Sequence, residues 1–224
     1  KSTMPDDLKD RCHQCRKPLP TTNEESIERL REWLEKDEAW AQSMMAQWYC
    51  DGDFGVKQSY VMAAMLFEKA VAQGNPGAMY NLGNMYQNGE GVAQSFEKTA
   101  ELYAMAVEQG QVEAMYNLGN MYLDGKGVSQ SFKKVAELFT MAAEQGHSNA
   151  TNYLALMYKK GQGVAQSYTK AAELFTMAAE QGHVKAMFNL ASLYDEGEGV
   201  DQSDGNAIQY YTMAAELGHV DAMF

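Results

Sequence analysis

The sequence predicts an all-α protein, an α-solenoid of stacked helix-turn-helix repeats of 36 residues. Three rows of residues predict it. Glycines recur at Gly74, Gly110, Gly146, Gly182 and Gly218, serines at Ser59, Ser95, Ser131, Ser167 and Ser203, and tyrosines at Tyr86, Tyr122, Tyr158 and Tyr194. Self-similarity at a fixed step of roughly 20–50 residues marks a repeat architecture. A helix hairpin of this size cannot bury its apolar side alone, so neighbours stack and share one core.

In chain order, Lys1–Pro20 has no helical period and holds three of the four prolines; it reads as an irregular segment. Residues 21–36 read as a capping helix. Thr22 and Glu25 have capping-box spacing, and Ile27, Leu30, Trp33 and Leu34 form an apolar stripe among charged residues. Residues 37–224 then make the array, five repeats and the start of a sixth. The first repeat departs from the step. Ala41 precedes Ala78 by 37 residues while Gly55 precedes Gly91 by 36, which places one extra residue near Asp53-Phe54.

A regular repeat holds two helical patterns around a glycine loop. In Ala78–Asn88, Ala78, Met79, Leu82, Met85 and Tyr86 share one side, and Asn81, Asn84 and Asn88 the other. Gly89-Glu90-Gly91-Val92 supplies the backbone freedom of a tight turn. Ser95 is placed to cap the second helix, whose stripe is Phe96, Thr99, Ala100, Tyr103, Ala106 and Val107. Gly110 closes it as a left-handed cap. The fifth repeat opens its second helix on Asp204-Gly205-Asn206, poor helix formers that should weaken that turn.

Ala114, Leu118, Gly119, Tyr122, Gly125, Gly127 and Val128, followed by Ala142, Ala143 and Gly146, make a pattern that resembles the Sel-1-like repeat, a relative of the tetratricopeptide repeats with a longer connecting loop. The resemblance covers about 41–224. It implies a non-catalytic scaffold whose first helices line a concave groove that holds a protein or peptide segment. Some secreted members staple each repeat with a cysteine pair. Here Cys12, Cys15 and Cys50 are the only cysteines and make no disulfide framework, which points to a reducing compartment, the cytoplasm with the nucleus as a second location.

The segment Arg11-Cys12-His13-Gln14-Cys15-Arg16-Lys17-Pro18-Leu19-Pro20 resembles the closing ligand pair of a RING-type finger, with His13 where such fingers usually carry Pro. That resemblance implies Cys12 and Cys15 as a zinc half-site, incomplete because a closed tetrahedral site needs two more ligands. The alternative function is then the substrate-recruiting part of a RING-type ubiquitin ligase, with zinc bound in the full-length protein. Lys1 at the start, and Met223-Phe224 inside a sixth first helix, read as cuts in a longer protein.

Composition excludes other classes. A net charge of −12 repels phosphate backbones, and no Lys/Arg cluster is interleaved with aromatics, so nucleic acid is not the expected partner. No apolar run is long enough for a membrane span. His147, His183 and His219 form a row 36 apart, yet equivalent atoms in stacked repeats lie about 10 Å apart and cannot share a zinc ion; they read as polar turn residues. The Gly-x-Gly-Val loops lack the preceding strand and Gly-Lys-Ser/Thr ending of a phosphate loop. The acidic loop residues Asp51, Asp53, Asp195, Glu196 and Glu198 lack calcium-loop spacing. Most methionines, including Met79, Met85, Met115, Met121, Met157 and Met187, fall at core positions, and Cys50 reads as a small buried apolar group.

One constellation remains. First-helix positions away from the core carry Asn81 and Asn84, Asn117 and Asn120, Tyr153 and Leu156, Asn189 and Ser192. Asparagine is a poor helix former, so its recurrence on an open helix face suggests amides that hold the backbone of an extended peptide. These eight residues are the expected partner-binding set.

Overall fold

The computed structural model describes residues 23–222. Among them are eleven α-helices, one short 3-10 turn and no strand. The protein divides into two compact units, residues 1–94 and 95–224. Cys12, Cys15 and Thr22 lie outside the described residues, as do Met223 and Phe224.

In the first unit, α1 (Asn23–Leu34) falls within the helix expected over residues 21–36 and ends two residues before its expected close. It lays Leu30, which is buried, against Ala41 and Met45 of α2 (Ala39–Asp51), with Trp33 and Leu34 alongside. The Trp33 and Trp40 rings meet at 5.6 Å. α3 (Tyr60–Ala72) and α4 (Pro76–Asn88) follow. The extra residue of the first repeat is visible as Phe54, a non-glycine residue in the left-handed region at φ 55° between Gly52 and Gly55. Its ring stacks on Trp48 with centroids 4.3 Å apart, a contact that offsets the strained backbone.

The second unit holds α5 (Phe96–Glu108), α6 (Val112–Asp124), α7 (Phe132–Glu144), α8 (Ser148–Lys160), α9 (Tyr168–Glu180), α10 (Val184–Glu196) and α11 (Asp204–Glu216). Every member of the serine row is an N-cap whose hydroxyl accepts the backbone N–H three residues on, as Ser131 does from Lys134. The fifth repeat is no exception: Ser203 caps Asn206, and α11 forms despite its opening residues. Second helices end as expected, with Gly110 at φ 80° and the Gln111 N–H reaching back to the Ala106 carbonyl.

Within the second unit, side-chain packing continues from repeat to repeat. Phe139 and Phe175 are fully buried at equivalent positions. Phe139 packs with Met115, Val135, Leu154 and Met157, so one cluster draws on α6, α7 and α8. Small residues face the rings: a Cβ on Gly119 would sit 2.5 Å from the Phe139 ring. Tyr103, in the same row, is also fully buried, with Leu102 beside it rather than Phe96 or Val107, which are half-exposed.

The second glycine of each Gly-x-Gly-Val loop is required for a contact as well as for its φ. A Cβ on Gly127 would fall on the backbone carbonyl of Phe96, the first residue of the preceding second helix; Gly163 stands likewise to Phe132 and Gly199 to Tyr168. Gly55 meets nothing within 4 Å. A further row tightens the same loops. Gln94, Gln130, Gln166 and Gln202 each donate a side-chain N–H to the carbonyl seven residues back, at 2.7–2.9 Å. Gln58 reaches eight back, to Cys50, because of the inserted residue.

Candidate functional site

Two histidines of the row cap helices. His147 precedes α8 and its Nδ1 accepts the Ala150 N–H at 3.1 Å; His183 precedes α10 and does the same for Ala186. They occupy the place where Asn75 caps α4 through its amide. An Nδ1 that accepts a backbone N–H leaves the ring proton on Nε2. His183 donates it to Asn149 Oδ1 at 3.1 Å, and burial pushes its pKa below the ordinary histidine value. His147 instead approaches Glu113 at 3.5 Å.

The rings of His147 and His219 also stack on an aromatic of the previous first helix, Tyr116 and Phe188 respectively, each at 4.5 Å. His183 has no such platform, because the fourth repeat reverses the order of two residues. Where other repeats read Tyr80-Asn81, Tyr116-Asn117 and Phe188-Asn189, it reads Asn152-Tyr153. One residue, a rotation of about 100° around the helix, separates the two outcomes. Asn152 points into the packing and is only 4% exposed, whereas Tyr153 is an exposed ring leaning toward Phe139 and Tyr116, at 5.7 and 6.4 Å.

The missing aromatic leaves a cleft of about 470 Å³ on the first-helix face of the second unit. α6 contributes Tyr116 to it, α8 contributes Asn149, Asn152, Tyr153 and Leu156, and α10 with its cap contributes His183, Val184, Lys185 and Asn189. Across its floor Asn189 Nδ2 donates to Asn152 Oδ1 at 3.4 Å.

Of the eight expected residues, Tyr153, Leu156 and Asn189 therefore meet in one cleft. Ser192, one turn beyond, hydrogen-bonds Glu196 at 3.3 Å. Asn117 and Asn120 are half-buried on α6. Asn81 and Asn84 line a smaller pocket of about 220 Å³ in the first unit, beside Gln47 and Cys50. The face is less open than expected: Asn81 and Asn189 are half-buried and bridge to the neighbouring first helix, Asn81 through Gln47 at 3.4 Å. The sequence reading missed Asn149, Asn152 and His183. The reversed dipeptide was the signal for them.

Cys50 is half-buried rather than buried, and its thiol is pushed up to about 11 by burial, with Asp51 and Glu90 adding to it, so it stays protonated. Among the described residues no group of three or more His, Cys, Asp or Glu could hold a metal ion, and no helix is long and apolar enough to cross a membrane.

The sequence profile of the Sel1 repeat matches five successive blocks, residues 41–75, 76–111, 112–147, 148–183 and 184–219. The chain belongs to the Sel1 repeat family. Proteins built from Sel1 repeats are generally protein-interaction scaffolds and typically non-enzymatic. Among solved structures, c5321, a protective antigen present in uropathogenic Escherichia coli strains and displaying an SLR fold, is 28% identical with a TM-score of 0.88. The match covers 93% of this chain and 44% of that protein, so the chain spans less than half of its length. A Sel1 repeat protein from Oxalobacter formigenes is also 28% identical, with a TM-score of 0.74 over 84% of this chain and 74% of that one. No curated protein matches in sequence. The Sel1 match begins after Cys12 and Cys15 and bears on neither.

Proposed function

We propose that this Sel1 repeat protein is a non-catalytic scaffold that holds an extended peptide or protein segment on its first-helix face, seated in the cleft around Asn152 and Tyr153. The observation that supports it is the coincidence of three things in the fourth repeat: a broken aromatic row, a cleft where the ring is missing, and side-chain amides on its walls. Amides offer both a donor and an acceptor, which matches the paired N–H and C=O of an extended backbone. Tyr116, Tyr153 and Leu156 provide apolar surface for the side chains between. The flanking amides of Asn117 and Asn120 extend the polar surface along α6. Asn81 and Asn84 offer the same chemistry in the first unit.

Selecting extended peptides from a random display library against the full-length protein, then measuring each by calorimetry, tests the reading. The double exchange Asn152→Tyr with Tyr153→Asn restores the order of the other repeats, so it preserves the fold, checked by circular dichroism. Selected peptides should bind the exchanged protein at least ten-fold more weakly. Equal affinity for both proteins would sink the assignment.

A further inference from the structure

We infer that the cleft of the fourth repeat takes a carboxylate, so that the segment it holds presents an acidic group to Asn152 and the start of α10. This rests on the peptide reading above and names the chemistry of its anchor.

Asn152 carries the inference. Its side chain lies at the wall of the cleft and is 4% exposed. Its oxygen accepts from Asn189, while its Nδ2 has no hydrogen-bond partner among the described residues. That donor opens into the cleft, where a ligand acceptor replaces solvent as its partner.

The second observation is the charge of the walls. The protein holds 30 acidic and 18 basic residues, yet the lining of the cleft includes no Asp or Glu, and Lys185 is its one formal charge. In a protein this acidic, a recess free of carboxylates beside an ammonium is a local reversal of sign. Third, α10 begins at the cleft. His183 caps Ala186, the third residue, so the N–H groups of Val184 and Lys185 have no intrahelical partner. Together they form the positive end of a 13-residue helix. The Asn152 amide, two free backbone N–H groups and an ammonium are donors of the kind a carboxylate accepts in charge-assisted hydrogen bonds.

The carboxylate has two sources, the C-terminus of the bound peptide or the side group of an Asp or Glu within it. Three probes separate them: N-acetyl-trialanine as the free acid, the same peptide as its C-terminal amide, and N-acetyl-Ala-Glu-Ala-amide. Each is titrated into the full-length ¹⁵N-labelled protein while the amide resonances are followed. At least one acid-bearing probe should move the backbone resonances of Val184 and Lys185 and the side-chain resonance of Asn152, at least ten-fold more tightly than the neutral amide. The free acid acting alone assigns a C-terminus; the glutamyl probe acting alone assigns an Asp or Glu. Lys185→Met, a change at an exposed position that leaves the fold intact, should weaken the active acid five-fold or more and leave the neutral probe unaffected. If acid and amide move the cleft equally, the carboxylate inference is overturned while the peptide reading stands. If no probe moves it, the inference is overturned too, and the exchange experiment above judges the peptide reading separately.

Discussion

Gly127 and Gly146 both sit at positive φ, 69° and 83°, but only Gly127 is pressed against another backbone. Alanine at Gly146 should therefore cost about 1 kcal/mol, the strain of a left-handed residue. Alanine at Gly127 adds a clash with the Phe96 carbonyl that no flexible group is there to relieve, and should cost roughly 3 kcal/mol, near the upper end for a single substitution. Urea denaturation of the two variants measures the difference. His183 offers a second test at this scale. Burial lowers its pKa from 6.5, and Lys185 acts in the same direction. The unfolded protein therefore binds the proton at a pH where the folded protein does not. The stabilisation is complete above 6.5 and is lost as pH falls toward the depressed folded value. Protonation would also take the lone pair with which Nδ1 caps Ala186 and add a cation facing Lys185, with Asn149 its other polar neighbour. His183→Asn keeps a capping side chain, as Asn75 shows, and should flatten the fall in urea midpoint between about pH 8 and pH 5. An unchanged slope would place that proton elsewhere.

At the scale of the element, first helices differ mainly in how they begin. Asn75, His147 and His183 cap through their side groups, whereas Gln111, in the same place before α6, makes no such bond. Gln111→Asn should stabilise the protein by about 0.5–1 kcal/mol, read as a rise in melting temperature. The glutamine clamp gives the opposite sign. Gln130 bonds the Leu123 carbonyl at 2.7 Å, and Gln130→Ala should cost about 1 kcal/mol. The helices themselves were legible because caps and glycine turns are local requirements, met within a turn of backbone. The serine row, the closing glycines and the inserted residue at Phe54 all stand where their spacing put them. The clamp was overlooked although it keeps the same step, because a glutamine in a polar loop has no intrinsic conformational preference to announce it.

For the whole molecule, the period made the fold class readable, since successive near-copies leave little freedom in how hairpins can bury their stripes. The site was only partly readable. Treating first-helix asparagines as a ladder found Tyr153, Leu156 and Asn189 but assigned equal weight to positions that the structure distributes among separate environments. A cleft arises from a local exception, the reversed Asn152-Tyr153, and its depth depends on which ring is absent from a stack. No periodicity reports that. The same limit applied to the surface methionines: Met105, Met141, Met177 and Met213 recur at the common step yet stay about 40% exposed on second helices, a different face from the cleft.

The two faces make the most direct test possible. A peptide selected against the full-length protein, titrated into the ¹⁵N-labelled form, should shift resonances of Tyr116, Asn149, Asn152, Tyr153 and Asn189, and leave the second helices unmoved. Shifts concentrated at Met105, Met141 and Met177, with the first helices silent, would contradict the account.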